Sequence, residues 1–231
     1  MEYILNGMIE AFKLLLSGDR QLYSVIFLSI YVSFTSTLIA TFLGVPLGFI
    51  LGLKSFKYKN FVGRILYTCM SLPPVVVGLV VAIMISRRGP LGSLSLLFST
   101  TGMIIAQTLL VTPIITGIIF NSSKERGQEV NDICKTLGGN KIDMLFLLIK
   151  ELKVTMLVAI ATGFGRAISE VGAVMIVGGN IRGHTRVMTT FIAMNHSMGN
   201  YSTSIAMGVV LLLISFITNS ILYKYVMGEK K

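Results

Sequence analysis

The sequence predicts an all-α integral membrane protein with about five transmembrane helices and an N-terminal amphipathic helix. Of its 231 residues, 53% are hydrophobic and only 13% are charged, and the mean hydropathy is +0.79. A soluble domain of this length needs a larger charged surface. Because about 20 apolar residues cross a bilayer core of roughly 30 Å, membrane spans are indicated by the charge-free runs over 21–53, 65–85, 89–123 and 187–223.

The runs divide the chain into a short N-terminal segment, 1–20, and one transmembrane domain, 21–231. Within 3–17 the apolar residues fall mostly on one helix face, which predicts an amphipathic helix along the membrane interface, with a slanted extra span as the alternative. A cytoplasmic loop is expected near 124–152. We expect spans near 23–53, 61–86, 101–120, 153–177 and 203–226.

Basic residues orient these spans. Most of the 20 lysines and arginines lie in the loop after the first span, in the loop after the third span and at the C-terminus. Cytoplasmic loops carry such an excess of positive charge. The N-terminus is therefore expected outside the cell and the C-terminus inside.

Small residues and prolines inside the spans predict how the helices pack. Gly44, Gly48 and Gly52 repeat at four-residue spacing, which lets a neighbouring helix approach closely. Pro73-Pro74 interrupt the second span, and a proline bends or breaks a helix. The bends are either ordinary kinks of a packed bundle or hinges of a moving transporter.

The sequence gives no support for an enzyme. No GxxxxGK[ST] phosphate loop occurs, so ATP hydrolysis is not expected in this chain. No catalytic set, cofactor or nucleic-acid contact is predicted, and Cys69 and Cys134 form no metal-binding pattern. A secondary transporter is the rival class, but it predicts two related halves and more ionisable residues at mid-membrane.

The hydrophilic stretch between the third and fourth spans carries a candidate docking element. Residues 121–153 suit two short helices with a break at Gly138-Gly139, and Asn140 is placed to cap the second helix. Apolar residues recur at helical spacing after the break, so one apolar edge projects among charges. Such an edge suits docking to another protein; a solvated connecting loop is the alternative.

A resemblance to a known family begins in this stretch. Residues 132–138, DICKTLG, are similar to the E-A-A-x3-G coupling loop of ABC importer permeases. In this chain Ile133-Cys134 replace the paired alanines of the family, and Glu151 replaces a later proline. The residues at the ATPase-coupling positions are Asp132, Thr136, Leu137 and Gly138.

A second segment restricts the resemblance to a smaller group of permeases. Residues 163–190, GFGRAISEVGAVMIVGGNIRGHTRVMTT, resemble the R-A-x-x-E-x-G-A, G-N and T-R series of molybdate, tungstate and sulfate permeases. Together with SLPPVVVGL at 71–79 and SRRGPLG at 86–92, the chain is most similar to tungstate permeases. The likeness extends over essentially the whole chain after residue 20.

This resemblance implies the type I architecture of ABC importer permeases, in the plasma membrane of a prokaryote. The implied function is ATP-driven import of a tetrahedral oxyanion, with tungstate first and molybdate or sulfate as the alternative. The implied partners are a cytoplasmic ABC ATPase subunit that grips 132–138, an extracytoplasmic solute-binding protein, a second permease copy forming a homodimer, and membrane lipid.

Polar residues inside the spans are candidates for the translocation pathway or its gate. Arg166 and Glu170 are predicted near mid-membrane on one helix face at i,i+4, where charges are expensive unless paired or turned toward water. They form either a structural ion pair or a gate in which Arg166 meets the anion. The other candidates are Ser169, Gln107, Thr108 and Thr112, although membrane threonines often bond only their own helix backbone.

The predicted outer loops are basic. No acidic residue lies near Arg87, Arg88, Arg182 and Arg186 in the outer loops around 86–100 and 178–202. We hypothesise that this outer basic rim attracts a dianion to the mouth of the pathway. The alternative is that these arginines anchor the interface or contact a binding protein.

Overall fold

The computed structural model describes residues 20–228, together with Ile9 and Lys13, and every regular element in that part of the chain is helical. The predicted all-α class is confirmed. The amphipathic helix predicted over 3–17 lies outside the described residues, apart from those two positions. The helices are α1 (Arg20–Leu53), α2 (Lys59–Met70), α3 (Pro74–Ile85), α4 (Thr100–Thr136), α5 (Lys141–Glu151), α6 (Lys153–Ile168), α7 (Gly172–Gly178), α8 (Met188–Ser197) and α9 (Tyr201–Gly228), with a 3-10 turn at Gly92–Leu94.

Three of these helices, α1, α4 and α9, are long and apolar enough to cross a membrane alone. The bent pairs α2–α3 and α6–α7 raise the number of spans to five if each pair counts as one. The prediction of about five spans is thus confirmed. The large exposed apolar side chains of α1, such as Phe27 and Phe42, suit a surface that faces lipid or another membrane helix.

The pairing of α1 with α4 is the most extensive helix contact in the described part of the chain. Its basis is the glycine series of α1. A Cβ atom built on Gly48 would lie 2.7 Å from the Ile119 Cβ, and one on Gly52 would lie 2.6 Å from the Ser123 Cβ. No larger residue fits there unless the helices move apart, so the predicted close approach is confirmed.

Helix α4 is longer than the predicted span. Instead of ending near residue 120, it continues without interruption to Thr136 and comprises 37 residues. At ~1.5 Å per residue its axis is about 55 Å long, well beyond a bilayer core of roughly 30 Å. The first of the two short helices predicted for 121–153 is therefore the end of this long helix. The polar sequence after residue 120 contains no proline, so nothing stops the helix there.

Two of the predicted spans are broken: the second at Pro73-Pro74, as the prolines predicted, and the fourth after Ile168, where the expectation of a continuous span over 153–177 is wrong. The axes of α2 and α3 meet at 92° across Ser71–Pro73, and those of α6 and α7 meet at 56° across Ser169–Val171. Pro73 explains the first bend, since a proline removes a backbone donor and restricts the residue before it. The second break contains no proline and depends on side-chain contacts that are described below.

Candidate functional site

The break between α6 and α7 holds the one ion pair found inside the spans of the described residues. Arg166 Nη2 lies 3.3 Å from Glu170 Oε2, and their side chains are 40% and 4% exposed. Arg166 belongs to the last turn of α6, whereas Glu170 lies beyond the end of that helix. The prediction that both share one helix face is therefore wrong, although their pairing is present.

Contacts on every side hold Glu170 in place. Its second carboxylate oxygen, Oε1, accepts a bond from the Ala173 N–H at 3.3 Å, in the first turn of α7. Its backbone carbonyl accepts the Thr189 hydroxyl at 2.8 Å, which connects the break to α8. The carboxylate thus stabilises the N-terminal end of α7 and compensates the Arg166 charge. Of the two groups, only the guanidinium reaches the surface of the protomer.

Ser169 lies beside Arg166 on the same open side. Its side chain is exposed, and its hydroxyl donates to the Gly165 carbonyl at 2.8 Å. A Cβ atom built on Gly165 would meet nothing within 4 Å. Gly165, Arg166 and Ser169 therefore form a small polar surface at the level of the break, open to whatever lies next to this protomer.

Gln107 lies behind this surface and not on it. It is 3% exposed, accepts the Ser36 hydroxyl at 3.0 Å and donates from Nε2 to the Ala167 carbonyl at 2.9 Å. One side chain thereby joins α1, α4 and α6 next to the ion pair.

Ser36 and Thr189 were not predicted as site residues, because isolated serines and threonines in an apolar run give no pattern that distinguishes them.

The threonines of α4 differ from one another. Thr112 donates to the Thr108 carbonyl at 2.7 Å, and Thr116 donates to the Thr112 carbonyl at 2.8 Å. These are the bonds to their own helix that the alternative interpretation expected. The Thr108 hydroxyl is buried and has no hydrogen-bond partner among the described residues, so it lacks the bond to its own helix that Thr112 and Thr116 form.

The candidate coupling segment lies at the opposite end of α4 from the outer loops. Asp132 and Thr136 are exposed in its last two turns, and Gly138 follows with φ of +74°, a left-handed conformation that glycine adopts readily. Asn140 then begins α5 with a capping box, since its side chain accepts from the Asp143 N–H while the Asp143 side chain accepts from the Asn140 N–H.

Helix α5 is amphipathic and leaves an apolar edge uncovered. Leu148 is fully buried against the bundle, whereas Leu137, Ile142 and Phe146 are 80%, 77% and 72% exposed. Exposed large apolar side chains grouped at one end of a molecule mark an interaction surface. Docking at this stretch stays a prediction, and these exposed side chains are the surface that it would use.

The four arginines of the predicted outer rim have different surroundings. Arg87 and Arg88 line a cavity of about 560 Å³ together with Phe98. Arg182 donates to the Gln21 side chain at the start of α1. Arg186 donates to both the side-chain and backbone oxygens of Asn180 at 3.2 Å.

The two loops that carry these arginines are joined to each other. The Phe98 N–H donates to the Val177 carbonyl at 2.9 Å, and the Thr100 hydroxyl donates to the His184 carbonyl at 3.2 Å. Thr185, 1% exposed, closes the second loop by donating to Gly178 O at 2.5 Å. The structure therefore brings the predicted rim to one end of the molecule, with two arginines free to line a cavity and two held by local bonds.

Comparison with known proteins identifies the fold and the family. The model of the family described as binding-protein-dependent transport system inner membrane component matches residues 44–226. The chain belongs to this family. Among solved structures, the permease fold of an inward-facing MetNI methionine ABC transporter matches with a TM-score of 0.75 and 15% identity, over 91% of this chain and 97% of that one. At that identity the likeness concerns the fold alone.

Several curated permease proteins align with this chain over most of its length. The chain is 54% identical to the tungstate uptake system permease protein TupB of Peptoclostridium acidaminophilum, over 96% of this chain and 98% of the relative. It is 36% identical to TupB of Campylobacter jejuni, over 97% and 94% of the two chains. More distant relatives are permease proteins of sulfate and molybdenum transport systems. The chain is thus an ABC transporter permease subunit with membrane-spanning helices.

Proposed function

We propose that this chain forms the membrane path of an ATP-driven importer for a tetrahedral oxyanion, with tungstate as the cargo. The observation that carries the proposal is the guanidinium of Arg166, half-exposed at a break within a span and held from behind by buried Glu170. A charge within a span is expensive unless it is paired or faces water; Glu170 provides the pairing, and the exposed side of the guanidinium is the part that would face a polar path. The near full-length similarity to tungstate permeases supports the choice of anion.

The path needs a second copy of the chain. Gly165, Arg166 and Ser169 lie on an open surface of the protomer. Two copies related by a two-fold axis would bring both arginines to a central route, and closed two-fold dimers are the commonest symmetric assembly. In this arrangement Gln107 supports the path from behind, and Thr108 and Thr112 belong to the same helix, α4.

The energy comes from a separate ABC ATPase subunit on the cytoplasmic side. Its contact surface comprises Asp132, Thr136, Leu137 and Gly138 with the exposed edge of α5. An amphipathic helix that presents apolar anchors among charged residues fits a groove on a partner. Closure of two ATPase subunits would move the two α5 helices together and change which side of the membrane the path faces.

Outside the cell, a solute-binding protein delivers the anion. The outer end carries Arg87 and Arg88 in an open cavity, and the N-terminus lies on that side, while the C-terminus is cytoplasmic. A positive cavity raises the local concentration of a dianion and speeds its arrival. Most of the selectivity resides in the binding protein, because the path itself offers few fixed polar groups.

The test is uptake into vesicles that contain the permease, its ATPase and its binding protein. Tungstate, molybdate and sulfate compete, and Gly138→Trp serves as the coupling variant. At a φ of +74° any side chain is strained, but nothing lies within 4 Å of a Cβ atom there. The matched control is Gly199→Trp, which has φ of +79° and equally free space in another loop.

We expect tungstate-preferring uptake that falls at least tenfold in Gly138→Trp and less than twofold in Gly199→Trp. A preference for molybdate or sulfate would leave the proposed mechanism intact and change only the cargo. These two anions are the second candidates because more distant relatives are permease proteins of sulfate and molybdenum transport systems. If no anion entered with ATP, the proposed function would be wrong.

A further inference from the structure

A second polar cavity lies at the end of the bundle that carries the coupling segment. It has a volume of about 530 Å³ and is enclosed by the end of α1, the start of α2 and the last turns of α4. Three lysines line it, Lys59, Lys124 and Lys135, against one carboxylate, that of Asp132. The cavity is therefore a positively charged concavity, separate from the Arg166 surface and from the outer rim.

One of the lining lysines, Lys59, has its side chain fixed by a hydrogen bond. The Lys59 ammonium donates to the Gly52 carbonyl at the end of α1. A lysine ammonium has three donors and no acceptor, so two remain for another group. Lys59 is also the first residue of α2, whose N-terminus has no side-chain cap and no acidic residue in its first turn. The Lys59 N–H is itself bonded to the Phe56 carbonyl at 3.1 Å, so the helix start contributes its positive dipole end, which favours an anion, and not a free Lys59 backbone donor.

A buried hydroxyl in the wall lacks a partner. Ser123 is 1% exposed, lines the cavity, and its Oγ forms no hydrogen bond. Thr112 and Thr116, on the same helix, donate to the backbone one turn earlier, so the missing bond of Ser123 is not imposed by helical geometry. Buried polar groups nearly always have a partner, and the lysines beside Ser123 indicate an anionic one.

We propose that this cavity binds a tetrahedral oxyanion group, either as a free anion such as phosphate or tungstate or as the phosphate of an anionic lipid headgroup. Both sources present several acceptor oxygens to the three lysines and the Ser123 hydroxyl, which outnumber the one carboxylate of the lining, Asp132. A basic pocket where the membrane-spanning part of α1 ends is suited to headgroups, and the cytoplasmic side also receives the imported anion. The inference concerns binding to the permease alone and does not rest on the identity of the cargo.

Occupancy would connect three elements that have few other polar bonds at this end. The anion would bond to Lys59 of α2, which itself holds Gly52 of α1, and to Ser123 and Lys124 of α4. Binding would therefore stabilise the position of the last turns of α4 relative to the rest of the bundle. Because Asp132 lines the same cavity, the site adjoins the surface proposed for the ATPase.

The test uses the purified full-length permease in nanodiscs of phosphatidylcholine. The cavity variant is Lys59→Gln/Lys124→Gln, and the matched control is Lys54→Gln/Lys57→Gln, which removes the same charge from exposed positions nearby that do not line the cavity. Binding of inorganic phosphate and of tungstate is measured by calorimetry. Retention of phosphatidylglycerol, added to separate discs, is measured by native mass spectrometry.

If the cavity takes a free anion, phosphate binds in phosphatidylcholine discs, and its Kd rises at least tenfold in the cavity variant and less than twofold in the control. If it takes a headgroup, the cavity variant alone loses bound phosphatidylglycerol. Ser123→Ala gives the finer readout: we expect about tenfold weaker binding, while the Tm without anion stays constant or rises, since the hydroxyl is buried without a partner among the described residues.

Equal binding by cavity variant, control and original protein, for every probe, would overturn the proposal. So would equal losses in cavity variant and control, because nonspecific attraction would then explain the binding. Binding of the ATPase subunit to the same discs is measured in parallel; if it alone changed in the cavity variant, the cavity would bind an acidic side chain of that partner, and the proposal would be wrong. None of these outcomes depends on uptake, so the proposed function can fail independently.

Discussion

At the scale of single residues, the arrangement of Arg166 and Glu170 separates two tasks. The carboxylate is 4% exposed and bonds to a backbone N–H as well as to the guanidinium, while the guanidinium is 40% exposed. A buried carboxylate without such partners would be expensive. We infer that Glu170 positions the Arg166 guanidinium and compensates its charge, whereas Arg166 is the group that another molecule can contact.

A paired apolar replacement distinguishes a structural clamp from a pathway group. In Arg166→Met/Glu170→Met both charges disappear together, so no unpaired charge remains and the bundle should still assemble. We expect the variant to purify as a folded permease but to lose at least tenfold in vesicle uptake. Glu170→Gln alone, which leaves the arginine uncompensated, should also lower the Tm. Normal uptake by the double variant would mean that the pair is only structural.

At the scale of helices, the contact between α1 and α4 depends on the absence of side chains. Gly48→Ala places a methyl group 2.7 Å from the Ile119 Cβ and 2.9 Å from the Thr116 carbonyl. Because both are parts of a packed helix and not flexible side-chain ends, α1 and α4 must separate. Overpacking of this kind typically costs about 1–3 kcal/mol.

The measurement is thermal unfolding in detergent, with Gly208→Ala in α9 as the matched control. A Cβ atom on Gly208 meets nothing within 4 Å, and alanine is the better helix former by up to ~1 kcal/mol. We expect the Tm to fall in Gly48→Ala and to stay constant or rise in Gly208→Ala. Similar Tm values for the two variants would show that the close approach contributes little to stability.

The elements differ in how far sequence alone predicts them. The glycine series was informative because its four-residue period is the period of a helix face, and the Asn140 cap was informative because the capping pattern is local. The break after Ile168 has no local signal: it is held by contacts from Glu170 to Thr189, far apart in sequence. The continuation of α4 was missed because the polar helical sequence after residue 120 was interpreted as a separate short helix beyond the span.

In the candidate site, too, some features can be predicted from the sequence and others cannot. Pairing of Arg166 with Glu170 follows from the cost of charge inside a membrane, which applies to any such pair. Which of the two is buried, and whether Gln107 lies on the surface or behind it, depends on how α1, α4 and α6 pack. That packing is a property of the whole bundle, and no local sequence pattern at these residues predicts it.

At the scale of the whole molecule, the orientation in the membrane gives a direct prediction. Arg88 and Lys141 are both exposed and lie at the outer and coupling ends. In a variant without native cysteines, we expect Arg88→Cys to react with a membrane-impermeant thiol reagent in intact cells. Lys141→Cys should react only after the cells are permeabilised, because the positive-inside rule places α5 in the cytoplasm. The reverse pattern would invert the proposed topology.

The length of α4 has a mechanical consequence for the same molecule. Gln107 bonds α4 to Ser36 of α1 and to the Ala167 carbonyl of α6. Because α1 and α4 are closely packed at Gly48 and Gly52, the two helices would tilt together, with the bond to α6 as the pivot. The arm toward Thr136 is about 44 Å long and the arm toward Thr100 about 10 Å, at ~1.5 Å per residue. A tilt of about 5° would displace the inner end by roughly 4 Å and the outer end by roughly 1 Å in the opposite direction. In the proposed assembly, a large displacement at the ATPase would thus become a small, reversed displacement beside the predicted outer loops, transmitted through Thr100 to the His184 carbonyl.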